Sequence, residues 1–184
     1  MKKMLLCLLV VVMAAVMVAA ASAEFNDMEK NTINTTNAEV KIGDMTGFPM
    51  NFNDLVPGVW SGWQSATIKN GSTIAMDIYV GLQDKGWGGA DLKNKLDVQI
   101  QRWDGAAWVW VYNGDVIGLF AAWQQAADDT PAGNIVSYQV QVRLAQTAGN
   151  DLQGGKTYAW ILIYGVQYNG TAPVTAPWNY TPLP

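Results

Sequence analysis

Residues 135–144 read Ile-Val-Ser-Tyr-Gln-Val-Gln-Val-Arg-Leu, and their order decides the fold class. Val136, Tyr138, Val140, Val142 and Leu144 fall on one parity, Ser137, Gln139, Gln141 and Arg143 on the other. Successive side chains of an extended chain point to opposite faces, so the segment is a strand with an apolar inside and a polar outside. Upstream, Ile74, Met76, Ile78, Val80 and Leu82 alternate in the same way with Thr73, Ala75, Asp77, Tyr79 and Gly81. Leu96, Val98 and Ile100 lead into Trp103-Asp104-Gly105-Ala106, and Trp108 to Tyr112 follows. Asp-Gly between two β-rich runs predicts a tight hairpin turn, with an aromatic outer face.

One run is apolar on both parities. From Thr157 to Tyr168, Tyr158, Trp160, Leu162, Tyr164 and Val166 share one face and Ala159, Ile161 and Ile163 the other. Such a strand is either central in a sandwich or covered by another chain. Helical spacing is confined to two short places. Val116, Leu119, Phe120 and Trp123 follow the i, i+3, i+4, i+7 pattern behind Asp115 as N-cap, and Leu92 and Leu96 are four apart in Asp91 to Leu96. The expected class is therefore mainly β, an antiparallel sandwich with one or two short helices plugging an end or flank.

The chain opens with Lys2 and Lys3, an apolar run from Met4 to Ala21, and the small-residue triplet Ala21-Ser22-Ala23. That pattern predicts a secretory leader over residues 1–23 with cleavage before Glu24, and hence an extracellular or cell-surface protein. An uncleaved anchor is the competing reading, since the run is about long enough to span a bilayer. The single cysteine, Cys7, lies within the leader, so the mature chain has no thiol chemistry and relies on packing and sheet pairing. Loss of Lys2 and Lys3 takes the formal charge from −4 to −6, without any block of like charge. This balance argues against nucleic acid and against an electrostatic grip on a membrane after cleavage.

Histidine is absent from the whole sequence. Imidazole-based triads and recognisable zinc sites are thereby excluded, and HExxH, GxSxG and a phosphate-cradling GxxxxGK[ST] are missing as well. Asp128-Asp129 is the sole adjacent carboxylate pair, placed in a polar segment read as a loop. It lacks the alternating array of a calcium loop, and a glycosidase needs two carboxylates set across a cleft. The expectation is a non-enzymatic protein without cofactor or metal.

Nine tryptophans stand at 60, 63, 87, 103, 108, 110, 123, 160 and 178. Aromatics at alternating strand positions fit a core or subunit interface better than sugar stacking. A monomeric carbohydrate-binding or adhesive module is the alternative they raise. Four N-x-[ST] sequons, at Asn34, Asn70, Asn169 and Asn179, mark candidate N-glycosylation sites on a secreted surface. Four of the seven prolines fall in Thr171 to Pro184, which reads as an extended tail.

Several short motifs in one order complete the reading. Phe25-Asn26-Asp27-Met28 follows the leader, and Ala38-Glu39-Val40-Lys41-Ile42 comes after a polar stretch. Leu55-Val56-Pro57-Gly58, Ile68-Lys69-Asn70-Gly71-Ser72, Asn150-Asp151-Leu152-Gln153-Gly154 and Gln167-Tyr168-Asn169-Gly170 succeed them. The set resembles the TasA/camelysin-type biofilm fibre proteins and the related archaeal bundling pilins. The resemblance implies a jelly-roll-like sandwich (residues 38–170) completed by a donor strand from a neighbouring subunit, so that identical subunits join head to tail. It makes residues 24–37 the donor segment, with Phe25, Asn26, Asp27, Met28 and Ile33 at the subunit interface and Phe25, Met28 and Ile33 as the anchoring side chains. Pro57, Gly58, Gln153, Gly154, Gln167, Asn169 and Gly170 are its motif positions. Phe25 and Ile33 share a parity that Met28 breaks, which calls for a bulge or partial insertion. Neighbouring filaments or matrix polysaccharide are further expected partners. Camelysin relatives also carry a metallopeptidase label, which a chain with no histidine does not fit. Exposed tryptophans with an N-terminus paired in its own chain would favour the monomeric module. A detached arm with concentration-dependent assembly would favour the fibre.

Overall fold

The computed structural model describes residues 21–25, 32–35, 38–48, 50–88, 93–148 and 156–177. Eleven strands run in chain order: β1 (Ala21–Phe25), β2 (Thr32–Thr35), β3 (Ala38–Thr46), β4 (Met50–Leu55), β5 (Gln64–Asn70), β6 (Met76–Gly88), β7 (Leu96–Trp103), β8 (Trp108–Asp115), β9 (Gln124–Thr130), β10 (Ile135–Leu144) and β11 (Lys156–Gln167). One short helix, α1 (Val116–Ala121), joins β8 to β9. The strands form a five-stranded sheet in the order β4-β1-β11-β6-β9 and a six-stranded sheet in the order β2-β3-β5-β10-β7-β8. All pairings are antiparallel except β1 with β11.

The alternation read in the sequence becomes the core. Met76, Ile78, Val80 and Leu82 of β6 with Ala159, Ile161 and Ile163 of β11 face Leu96, Val98 and Ile100 of β7 and Tyr138, Val140, Val142 and Leu144 of β10 in one buried cluster. Two sheets stacked on a common apolar layer give a sandwich-like arrangement. Val116, Leu119 and Phe120 of α1 are buried in the same cluster, and the Asp115 side chain accepts from the Gly118 N–H at 2.9 Å as the predicted N-cap. The Asp104 carboxylate likewise holds the predicted hairpin by accepting from the Ala106 and Ala107 N–H groups, with Gly105 at φ 103°. Those two bonds keep the Asp104 carboxyl below the usual carboxylate range.

Four local expectations are corrected. The helix ends at Ala121, so Trp123 leaves the helical stripe and passes to the outside of the five-stranded sheet. The second expected helix is one 3-10 turn over Lys93–Lys95, and Leu96 already belongs to β7. Asp128-Asp129 is not in a loop but in β9, whose ladder shifts register twice as it meets β6. The strand expected from Thr73 begins at Met76.

The doubly apolar run is central, between β1 and β6. Its outer face is covered by this chain's own C-terminal stretch. Trp123 packs on Tyr164 with ring centroids 5.6 Å apart, its Nε1–H donates to the Thr175 carbonyl at 2.7 Å, and Pro177 is buried over Gly81. Leu162 and Val166 are buried on that side. The part of the expected tail that is described, 171–177, is thus extended but packed. The turn at Gln167 to Gly170 sends it back, with Asn169 at φ 62° and the Gly170 N–H bonded to the Gln167 carbonyl.

Candidate functional site

Two surfaces bear on function. The first is the slot between β4 and β11, occupied by β1. Its register sets Glu24 beside Asn51 and Tyr158, and Phe25 beside Met50 and Ala159. On the β4 side the ladder slips by one residue between Ala21 and Ala23. Asp54, at φ 57°, is the extra residue there, and it lets Leu55 return to the core. Of the expected anchors, Phe25 ends β1 and Ile33 lies in β2, paired with Val40 of β3 on the other sheet. Asn26, Asp27 and Met28 lie outside the described residues. The structure therefore separates the two anchors onto different sheets, and both of the strands carrying them pair within their own chain.

The second surface is the outer face of the six-stranded sheet. Gln99 and Gln101 of β7 and Gln139 and Gln141 of β10 point away from the core because the residues between them point in. The Gln139 Nε2 donates to Gln101 Oε1 at 2.6 Å, Gln141 Nε2 to Gln99 Oε1 at 2.5 Å, and Gln99 Nε2 to Asn113 Oδ1 at 3.0 Å. Tryptophans stand on this amide floor. Trp103 and Trp108, paired across the hairpin, meet edge to face at 5.5 Å, and Trp63 and Trp110 meet tilted at 6.4 Å. All four are exposed, Trp110 by 53%. At the far end Trp60 lies under the Arg143 guanidinium, 4.4 Å from its ring centroid, and Arg143 is paired with Asp97 at 2.7 Å.

Of the motif positions, Pro57, Gly58, Asn169 and Gly170 stand in turns and Gln167 ends β11. Val56-Pro57-Gly58-Val59 is a β-turn, with Gly58 at φ 78° and its N–H bonded to Leu144. Gln153 and Gly154 lie outside the described residues. The sequon at Asn70 is corrected. Asn70 is 0% exposed, and its Nδ2, the atom a glycan would need, donates to the Ile74 and Thr130 carbonyls. Asn169 is exposed on its turn, Asn34 sits in β2, and Asn179 lies outside the described residues.

Sequence reasoning missed Asp77. Its position on the polar parity of β6 read as solvent, yet it is buried, accepting from the Asp129 backbone N–H at 3.0 Å and from that of Asn169. Burial, and after it the Asp128 carboxyl, holds the Asp77 carboxyl above the usual carboxylate range despite those donors. A raised folded-state value means that this group stabilises the fold in acid and that the contribution is lost as pH rises through that value. In Asp77→Asn the amide still accepts from Asp129 and can donate to Asp128. The variant is therefore expected to melt higher than the parent at pH 7, the difference shrinking as pH falls and closing below the ordinary carboxylate range. Lower melting at pH 7 with an unchanged pH slope would contradict this account.

Among the described residues no three Asp, Glu, His or Cys residues are grouped to hold a metal ion, and no helix is long and apolar enough to cross a membrane. Neither a family model nor a curated protein matches the chain.

Proposed function

We propose that this protein is an extracellular structural subunit of a fibre or pilus, a jelly-roll-like sandwich that polymerises by donor-strand complementation, without enzymatic activity. The observation that carries the reading is the content of the slot between β4 and β11. It is filled by Ala21–Phe25. The expected cleavage before Glu24 removes Ala21, Ser22 and Ala23, so that most of the strand leaves and two sheet edges stand open. An open slot between strands is a template for an incoming strand, which backbone hydrogen bonds and buried side chains then hold. The N-terminal segment of a second mature subunit supplies that strand, and because such contacts do not close on themselves they build a filament.

A chain beginning at Glu24 is expected to form filaments by electron microscopy and to sediment as concentration-dependent oligomers. A chain beginning at Ala38 should remain monomeric, and the peptide Glu24 to Asn37 should block growth of the longer form. Equal assembly by both chains would remove the donor role from residues 24–37. Two monomeric chains at every concentration would end the fibre reading. The monomeric module is the second reading, and the exposed tryptophans together with the self-paired β1 and β2 favour it.

A further inference from the structure

The geometry points to a binding site for an uncharged polysaccharide chain on the outer face of the six-stranded sheet, with Trp63, Trp110, Trp108 and Trp103 as its stacking platform. This site does not depend on polymerisation. The four rings form a strip that crosses from the segment leading into β5, over β10 and β7, to β8 and back to the end of β7. Three strand spacings, about 14 Å, separate the backbones of Trp63 and Trp110, and the two rings lean together across that distance to 6.4 Å. The C–H face of a pyranose is apolar with partly positive hydrogens, which suits the electron-rich face of an indole.

The floor decides between a sugar and a protein partner. The fully buried core of a protein interface is more apolar than the surface around it. Here the residues between the tryptophans are the primary amides of Gln99, Gln101, Gln139, Gln141 and Asn113. Each amide has two N–H donors and two acceptor sites, and the half-buried Gln99, Gln101 and Gln139 keep part of that capacity for hydroxyl groups, while Gln141, 9% exposed, supports the ladder from below. The ladder also fixes the amides in place, so little side-chain freedom remains to be lost on binding. Charge is displaced to the margin, where Arg143 and Asp97 neutralise one another. Off this face, on the side of β7 that carries Ile100, a cleft of about 250 Å³ lies between the end of β7, the end of β9 and the start of β10, lined among others by Arg102, Asp104, Asp128 and Asp129. A second cleft of about 150 Å³, between β8 and β9 on that same side, shares Arg102 and Asp128, so the charged side chains stand apart from the tryptophan platform.

The test is affinity electrophoresis of the secreted chain through gels containing hydroxyethylcellulose, yeast mannan or arabinoxylan, with hyaluronate as the charged control, followed by titration of tryptophan fluorescence. Retardation by at least one neutral polymer is expected, with binding weakened by about tenfold or more in Trp110→Ala and in Trp63→Ala. Gln101→Ala should weaken it while leaving the emission maximum of the free protein unchanged. These side chains are on the surface, so unchanged melting checks the fold of each variant. Absence of retardation by all three neutral polymers overturns the proposal, as does equal retardation of the Trp63→Ala/Trp110→Ala double variant. Self-association that Trp110→Ala abolishes, without polysaccharide binding, would make the strip a contact between copies of this chain and would equally overturn it.

Discussion

Replacing Asn70 by alanine is expected to cost about 2–4 kcal/mol of folding stability, which for a domain of this size lowers the melting temperature by roughly 6–15 °C. The side chain closes three bonds that nothing else can make. Its Nδ2 donates to the Thr130 carbonyl at 2.7 Å and the Ile74 carbonyl at 2.9 Å, and its Oδ1 accepts from the Ser72 N–H at 2.8 Å. The backbone of the same residue bonds to Asn134 and Gly133, so one buried residue ties the end of β5 to the lead-in of β6 and to the β9–β10 turn. Removal of the amide strands two carbonyls and an N–H away from water, each a penalty of about 1–3 kcal/mol before relaxation. Asn70→Asp should be worse at neutral pH, because a carboxylate facing two carbonyls has no proton to give, and should recover partly in acid. Urea unfolding at pH 7 and pH 4 reads both effects. An alanine variant within about 0.5 kcal/mol of the parent would mean the network is not formed.

Gly81→Ala should also destabilise the full chain, by about 1–3 kcal/mol, and its sign is expected to reverse when the chain ends at Gly170. A Cβ at Gly81 would lie 2.4 Å from Pro177 Cγ and 2.7 Å from Pro177 Cβ, with Trp123 Cε3 at 3.2 Å. The strand itself has no objection to a side chain, since Gly81 does not require a positive φ. The clash belongs to the covering segment, which must lift, giving up the Trp123–Thr175 bond and uncovering Leu162. Without that segment Trp123 loses its Thr175 anchor and can yield the few tenths of an ångström that a contact at 3.2 Å requires, and the substitution then removes backbone freedom from the unfolded chain, which stabilises by about 0.4–1 kcal/mol. The double-mutant cycle therefore has a large coupling term of known sign. Additive behaviour would show that 171–177 does not rest on the sheet in solution. Faster proteolysis of the C-terminal segment in the alanine variant is an independent reading of the same event.

Strict alternation made β6, β7 and β10 legible in the sequence, because a two-residue period with one buried face leaves a single consistent register. Asp115 and the Val116, Leu119, Phe120 spacing gave the start of α1, and Asp104-Gly105 gave the hairpin. The features that escaped are those in which the period is broken or a partner is remote. In β9 the bulged Asp128-Asp129 hides the buried pair Ala126 and Ala127 behind polar residues. Asp77 sits on the polar parity and is buried by segments some fifty and ninety positions away, which no local pattern encodes. Asn70 satisfied a three-residue glycosylation motif, while its 0% exposure depends on β9 and the β9–β10 turn. Ala21–Ala23 read as the end of a leader and Glu24 and Phe25 as the start of a donor segment, and their joint place in one strand depends on the walls supplied by β4 and β11. The tryptophan strip was half legible: the aromatic outer face of the hairpin was expected, whereas the approach of Trp63 to Trp110 spans four strands.

The walls of that slot are unlike one another, since β1 runs antiparallel to β4 and parallel to β11. Parallel ladders space their bonds evenly and on a slant, whereas antiparallel ladders alternate close and wide pairs. A strand entering backwards would exchange the two patterns, running parallel to β4 and antiparallel to β11, so β1 records one of two directions and a head-to-tail polymer repeats it at every joint. Any polymer built through the slot has an arrow. One terminus would show a vacant socket and the other an unspent strand, so a short peptide could cap the first without touching the second, and growth and shrinkage could be controlled separately at the two ends.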